Sequence, residues 1–164
     1  VDLFVRDINS GAESRTHIGF EVPKFGANLA SSSLILASLL KQVSDIPASR
    51  QFVIGDKKVI PNLTATYHRG APVGIYMQLY NAGIDQTTLR PSVGVEYALL
   101  KDGREIGKQV EDWRGTSTAG ERLTLARLID SRGLAPGDYA VDVRARDRVS
   151  GQSLVQTAKF TIVK

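Results

Sequence analysis

The chain has no cysteine, one methionine, one tryptophan and two histidines among its 164 residues. Each scarcity removes a class of chemistry. Without cysteine there is no thiol nucleophile, no thiolate-bound zinc, no iron–sulfur cluster and no disulfide framework. With only His17 and His68, a histidine-rich metal site is excluded. Both histidines lie in hydrophilic surroundings and read as solvated surface residues. No Gly-x-Ser-x-Gly sets a serine on a strained turn, so no hydrolase triad is indicated. Long apolar runs are missing as well. The longest, around Leu34 to Leu40, is broken by Ser38 and falls far short of the ~18 residues of a membrane helix. A chain of this length buries roughly 70% of its unfolded surface and needs no staple to fold.

Charge of one sign is also scarce. The net charge is +4, but residues 1–100 hold nine basic and eight acidic side chains and residues 101–164 hold twelve and nine. Arg144, Arg146 and Arg148 fall on one face of a strand, interleaved with Asp142 and Asp147, with no aromatic neighbour for base stacking. They read as a solvated outer face rather than a nucleic-acid stripe. Gly103-Arg-Glu-Ile-Gly-Lys-Gln109 imitates a phosphate loop, but it is one residue short, ends in Gln and precedes no helix. Glu111 and Asp112 are adjacent on a strand and point to opposite faces, so they form no catalytic dyad. Neither Asp85 nor Asp130 has the alternating oxygen ligands of a calcium loop. The reading is of a non-enzyme with no catalytic residue, cofactor or metal.

What the sequence does hold is alternation and an internal similarity. Val1-Asp-Leu-Phe-Val-Arg-Asp-Ile-Asn-Ser-Gly11, continuing to Lys24, matches Val141-Asp-Val-Arg-Ala-Arg-Asp-Arg-Val-Ser-Gly151, continuing to Lys164, at a constant offset of 140 without a gap. Val, Asp, Arg, Asp, Ser, Gly, Phe and Lys recur at equivalent positions. Each copy alternates like a strand, turns at Asp-x-x-Ser-Gly, where Asp caps amides and Gly takes positive φ, and returns. The returning strands are expected at Ile18/Phe20/Val22 and Ala158/Phe160/Ile162. Residues 1–24 therefore predict a β-hairpin resembling the end of a preceding domain. An isolated hairpin is marginal in water, so it must dock on the remainder of the chain, on upstream domains or on a second copy as a homodimer.

Between the hairpins, Val73/Ile75/Met77/Leu79 and Val93/Val95/Tyr97/Leu99 form inward-facing sets, Asp102-Gly103 marks a tight hairpin, and Glu105–Trp113 pairs back. Leu134-Ala-Pro136-Gly137-Asp-Tyr139 resembles the corner of immunoglobulin-like and fibronectin-like sandwiches, in which the tyrosine hydroxyl bonds back to nearby backbone. The expectation is an all-β chain: a β-hairpin over 1–24, a linker over 25–49, and an immunoglobulin-like β-sandwich of about seven strands over 50–164. Trp113 at a strand end, with Tyr67, Tyr76 and Tyr80, is the candidate aromatic surface for a protein or a glycan. Leu134, Pro136, Gly137 and Tyr139 are the candidate structural corner.

Ser31-Ser-Ser-Leu-Ile-Leu-Ala37, Phe52-Val-Ile-Gly55, Val59-Ile-Pro-Asn62, Ile75-Tyr-Met-Gln-Leu-Tyr-Asn81 and Leu134-x-Pro-Gly-x-Tyr139 are similar to the C-terminal region of large secreted acidobacterial proteins, VWFA-related or bearing a GWxTD domain. The resemblance covers most of the chain and implies a β-rich extracytoplasmic tail module, periplasmic or secreted, without a reaction. Neither Asp-x-Ser-x-Ser nor Gly-Trp-x-Thr-Asp is present, so metal-dependent adhesion is not implied. The expected function is a structural or protein-interaction module, the alternative a carbohydrate-binding module.

Overall fold

The computed structural model describes residues 1–43, 50–113 and 122–164, Trp113 by its backbone alone. Among these the chain is all-β and contains no helix. In chain order the strands are β1 (Asp2–Arg6), β2 (Glu13–His17), β3 (Ala30–Ser31), β4 (Ile35–Gln42), β5 (Val53–Ile54), β6 (Lys57–Pro61), β7 (Thr66–His68), β8 (Val73–Tyr80), β9 (Ile84–Asp85), β10 (Arg90–Pro91), β11 (Val93–Lys101), β12 (Arg104–Trp113), β13 (Arg122–Ile129), β14 (Gly137–Asp147) and β15 (Ser153–Val163).

Two large sheets share one apolar core. The first runs β12-β11-β14-β15-β7, antiparallel until β7, which lies parallel to β15 with Ile162 opposite Tyr67. The second runs β13-β8-β4-β6-β5, with β3 also on β8. From the second sheet Leu36, Val73, Ile75, Met77, Leu79, Leu123 and Leu125 meet Val93, Val95, Tyr97, Val141, Val143, Ala145, Phe160 and Ile162 of the first. These are the period-2 positions of each strand, which is why alternation in the sequence becomes one buried layer. Each large aliphatic side chain buried there contributes about 1.5–3 kcal/mol. The β11–β12 turn has Asp102 at φ 50° and Gly103 at φ 75°, the double left-handed geometry whose twist suits a two-residue hairpin.

The stretch expected as a linker is in part sheet. Residues 30–31 and 35–42 are β3 and β4, and β4 bridges β8 and β6 in the middle of the second sheet. Leu36 faces the shared core while Ile35 and Ala37 pack on the opposite face with Val59 and Tyr76, and a register shift between Ala37 and Leu39 brings Leu40, three residues on, to that same face. Gly74 makes the close approach possible, because a Cβ at that position would lie 2.9 Å from the Ala37 carbonyl oxygen. Residues 44–49 of that stretch lie outside the described residues.

The first hairpin also differs from expectation. Its returning strand is β2, at Glu13–His17, and Ile18 closes the ladder by exchanging hydrogen bonds with Val1, both 2.9 Å. Phe20 and Val22 lie beyond that ladder, because the turn pairs Arg6 with Glu13 and the first strand runs out at Val1.

Candidate functional site

The corner is assembled from local bonds. Tyr139, buried at the start of β14, donates its hydroxyl to the Ala135 carbonyl at 2.7 Å. Its ring stacks on Phe160 at 5.6 Å between centroids, and Lys101 Nζ lies over the Tyr139 ring, 5.2 Å from its centroid. Leu134 packs against the core. Pro136 precedes Gly137, whose φ of 143° is open to glycine and strained for other residues. This cluster turns the chain from β13 into β14, and its polar groups are satisfied inside the fold.

Of the three proposed aromatic surface residues whose side chains are described, Tyr67 stands apart from Tyr76 and Tyr80, whose hydroxyls both bond the Gln78 side-chain amide at 3.0 Å. Tyr67 is buried in the shared core, donates to the Ala37 carbonyl at 3.2 Å and meets Phe160 edge-on. Burial pushes its hydroxyl up to about 12, against a smaller lowering by Asn62. Tyr76 is buried too, on the opposite face of β8, under Ile35, Leu40 and Ala126. Alternation had placed Tyr76 on an outer face but could not show that this face carries its own apolar cover. Tyr80 is part-buried, with Phe25 stacked on it at 4.8 Å. Trp113 ends β12, and its side chain lies outside what is described. Two of the four are therefore structural residues rather than a binding surface.

Other chemistry-bearing groups are engaged in the fold. His17 Nδ1 lies 2.7 Å from Asp2 Oδ1, and His68 Nδ1 lies 2.9 Å from the Lys164 carbonyl oxygen. Arg144 binds Glu96 at 2.7 Å and Asp142 at 3.0 Å, and Arg148 pairs with Asp112. Arg127 of β13 grips Glu111 of β12, with Nη2 to Oε1 at 2.6 Å and Nε to Oε2 at 2.9 Å, tying the two sheets at one edge. An open groove lined by Asp85, Thr88, Arg90, Pro91 and Ser92 uses its carboxylate to cap its own loop: Asp85 Oδ1 accepts from the Thr87 and Thr88 amides and the Thr88 hydroxyl. Among the described residues no group of three metal-ligating acidic or histidine side chains converges.

The surface that stands out is the first hairpin, which the sequence predicts to be a repeat that docks on another surface. Its outer face is polar and cross-linked. Asp2 meets His17, Arg15 lies over the Phe4 ring at 5.0 Å, and Arg6 approaches Glu13 at 3.7 Å. Its other face presents Val1, Leu3, Val5 and Ile18, and Phe20 and Val22 follow just beyond the ladder, each of the six at least 47% exposed. At the offset of 140, Val141, Val143, Ala145, Phe160 and Ile162 are all 3% exposed or less.

The two hairpins share their bonding. Arg6 faces Glu13 and Asp2 faces His17, just as Arg146 faces Ser153 and Asp142 faces Thr157. The Asp7 amide donates to Ala12 at 2.9 Å, and the Asp147 amide to Gln152 at 2.9 Å. Gly11 and Gly151 each donate to the carbonyl of that Asp at 2.9 Å. The Asp7 carboxylate accepts from the Asn9 amide at 2.8 Å and the Ser10 hydroxyl at 2.8 Å, and Asp147 accepts from Val149 at 2.9 Å and Ser150 at 2.5 Å. Asp147 has one partner more, the Gly83 amide at 2.8 Å, reached because Gly83 has no Cβ to strike Val149. Burial pushes the Asp147 carboxyl up, but the bonds from Ser150, Gly83 and Val149 outweigh it and hold the group below the ordinary carboxylate range. Ser10 and Asn9 lower Asp7 in the same direction.

No family model matches the chain, and no curated protein matches it. It is similar to parts of larger solved structures. An alkylpurine DNA glycosylase from Pseudomonas fluorescens shares 20% identity at a TM-score of 0.41, over 62% of this chain and 28% of that one. A β-glucosidase from Listeria innocua shares 11% at 0.42, over 84% of this chain and 16% of that one. A family 123 glycoside hydrolase from Clostridium perfringens shares 10% at 0.41, over 83% and 27%. The chain spans well under a third of each, and likenesses this distant carry no argument about activity.

Proposed function

We propose that the chain is a non-catalytic structural and protein-interaction module, an immunoglobulin-like sandwich belonging to an extracytoplasmic bacterial protein. The observation that carries the interaction reading is the first hairpin, with a cross-linked polar face behind, Val1, Leu3, Val5 and Ile18 exposed in front, and Phe20 and Val22 exposed just beyond the ladder. Exposed apolar surface of this organisation marks a contact with another macromolecule. The immunoglobulin-like assignment is supported by two sheets on one core and by the Tyr139 back-bond. The glycan alternative is weakened by the burial of Tyr67 and Tyr76.

The test is a photoreactive residue at Phe20, incorporated into the polypeptide as its own cell makes it. A covalent adduct with a peptide is expected. Absence of any peptide adduct would overturn the reading, and specific retention of the 164-residue chain on a glycan array would then favour sugar binding.

A further inference from the structure

Resting on that interaction reading, we infer that residues 1–24 are the closing hairpin of another unit with the topology of residues 25–140, and that this unit lies ahead of residue 1 in the same polypeptide. The second hairpin is covered on one edge and on its inner face. Along one edge β14 pairs antiparallel with β11, Val143 opposite Tyr97 and Ala145 opposite Val95. The inner face of β14–β15 lies on β8 and β13, and the Gly83 amide plugs into Asp147. The first hairpin has the same register, the same turn bonds and apolar Val1, Leu3, Val5 and Ile18 on one face, with none of that cover among the described residues. A hairpin of this size is marginal by itself. Its apolar face and its β1 edge, unpaired among the described residues, fit the kind of surface that the molecule shows for this shape.

The boundaries agree. The offset is 140 residues, and residues 25–164 number 140. Phe25, the first residue after the first hairpin, already packs on Tyr80, and Asn81 Nδ2 donates to the Gly26 and Asn28 carbonyls at 2.6 and 3.1 Å. The second unit thus begins where the first copy of the hairpin ends. Within residues 25–164 the hairpin is the last element, following the strands it closes. By the same order, the strands closed by residues 1–24 precede residue 1. The expected register sets Leu3 opposite the counterpart of Tyr97 and Val5 opposite that of Val95, with a backbone amide on Asp7 in the role of Gly83. One contact is not carried over. Pro23 stands where Val163 does and has no N–H for a parallel neighbour such as β7.

Two experiments decide this. In the first, residues 141–164 of the chain are replaced by the sequence of residues 1–24, and in a second version only residues 141–151 are replaced by 1–11, which spares Val163 and Phe160. A control graft carries serine at the positions of Leu3, Val5, Ile18, Phe20 and Val22. Expected is a single cooperative unfolding transition at a lowered midpoint, with the β11 amides still protected from hydrogen exchange, and loss of both in the control. If both grafts lack a transition, as the control does, the hairpins are not interchangeable and the inference fails. The second experiment maps the Phe20 adduct described above. An adduct within the same polypeptide, ahead of Val1, supports the inference. An adduct on a different polypeptide overturns it and leaves the interaction reading standing, while no peptide adduct overturns both.

Discussion

Two hairpins in this molecule have the same ladder and the same turn, yet one is core and the other is bare. Phe160 is 3% exposed between Tyr139 and Tyr67, whereas Phe20 is 69% exposed. Local hydrogen bonds therefore specify the shape of the hairpin and leave its stability to what covers it, as expected when exchanging water for a partner nets only about 0.5–1.5 kcal/mol per bond. The burial difference between the two copies is the observation on which the proposed interaction surface rests.

The largest separation should come from the phenylalanines. Phe160→Ala removes a fully packed ring and is expected to cost about 3–5 kcal/mol, whereas Phe20→Ala should change stability by no more than about 0.5 kcal/mol. Urea unfolding of both variants measures the contrast, and equal losses would break it. The aspartates come next. Asp147→Ala strands the part-buried Gly83 amide and is expected to cost about 1–3 kcal/mol. Asp7→Ala should leave the global midpoint unmoved and loosen only its own turn, seen in the amide shifts of Asn9 and Ser10. A smaller effect, about 1 kcal/mol, is expected for Tyr139→Phe, which deletes the bond to Ala135 and keeps the ring stack.

The pH dependence follows the same division. The carboxyl of Asp147 titrates below its unfolded value of about 3.9, so its contribution is complete above that value and is lost as pH falls towards the folded one. The stability gap between the parent and Asp147→Asn should narrow as pH drops below about 4. Asp7 shifts in the same direction, but on a hairpin uncoupled from the core, so the Asp7→Asn variant should show no such gap in global unfolding.

Much of this arrangement was legible in the sequence. The inward sets on β8 and β11, the Asp102-Gly103 turn and the Leu134–Tyr139 corner depend on neighbours within a few residues, so local pattern exposes them. β4 is hidden because both faces of the chain there carry apolar residues, Leu34 and Leu36 on one and Ile35, Ala37 and Leu40 on the other, and the shift between Ala37 and Leu39 puts Leu40 out of step. Tyr76 misled for a related reason: an outward position is exposed only if nothing covers it, and Leu40 and Ala126 come from distant strands. The return strand of the first hairpin was set too late because the apolar letters at 18–22 outweighed the turn, which starts the ladder at Glu13. The offset of 140 was visible at once, but its meaning as a unit length emerged only when residues 30–42 proved to be sheet.

The central claim is that cover, and not local bonding, separates the two hairpins. Hydrogen exchange of the unmodified 164-residue chain, read amide by amide, tests it directly. The account predicts that amides of β14 and β15 exchange only through global unfolding, while those of β1 and β2 exchange through a local opening of far lower free energy. Equal protection in the two hairpins would contradict it, because the first would then be stable with its apolar face in water.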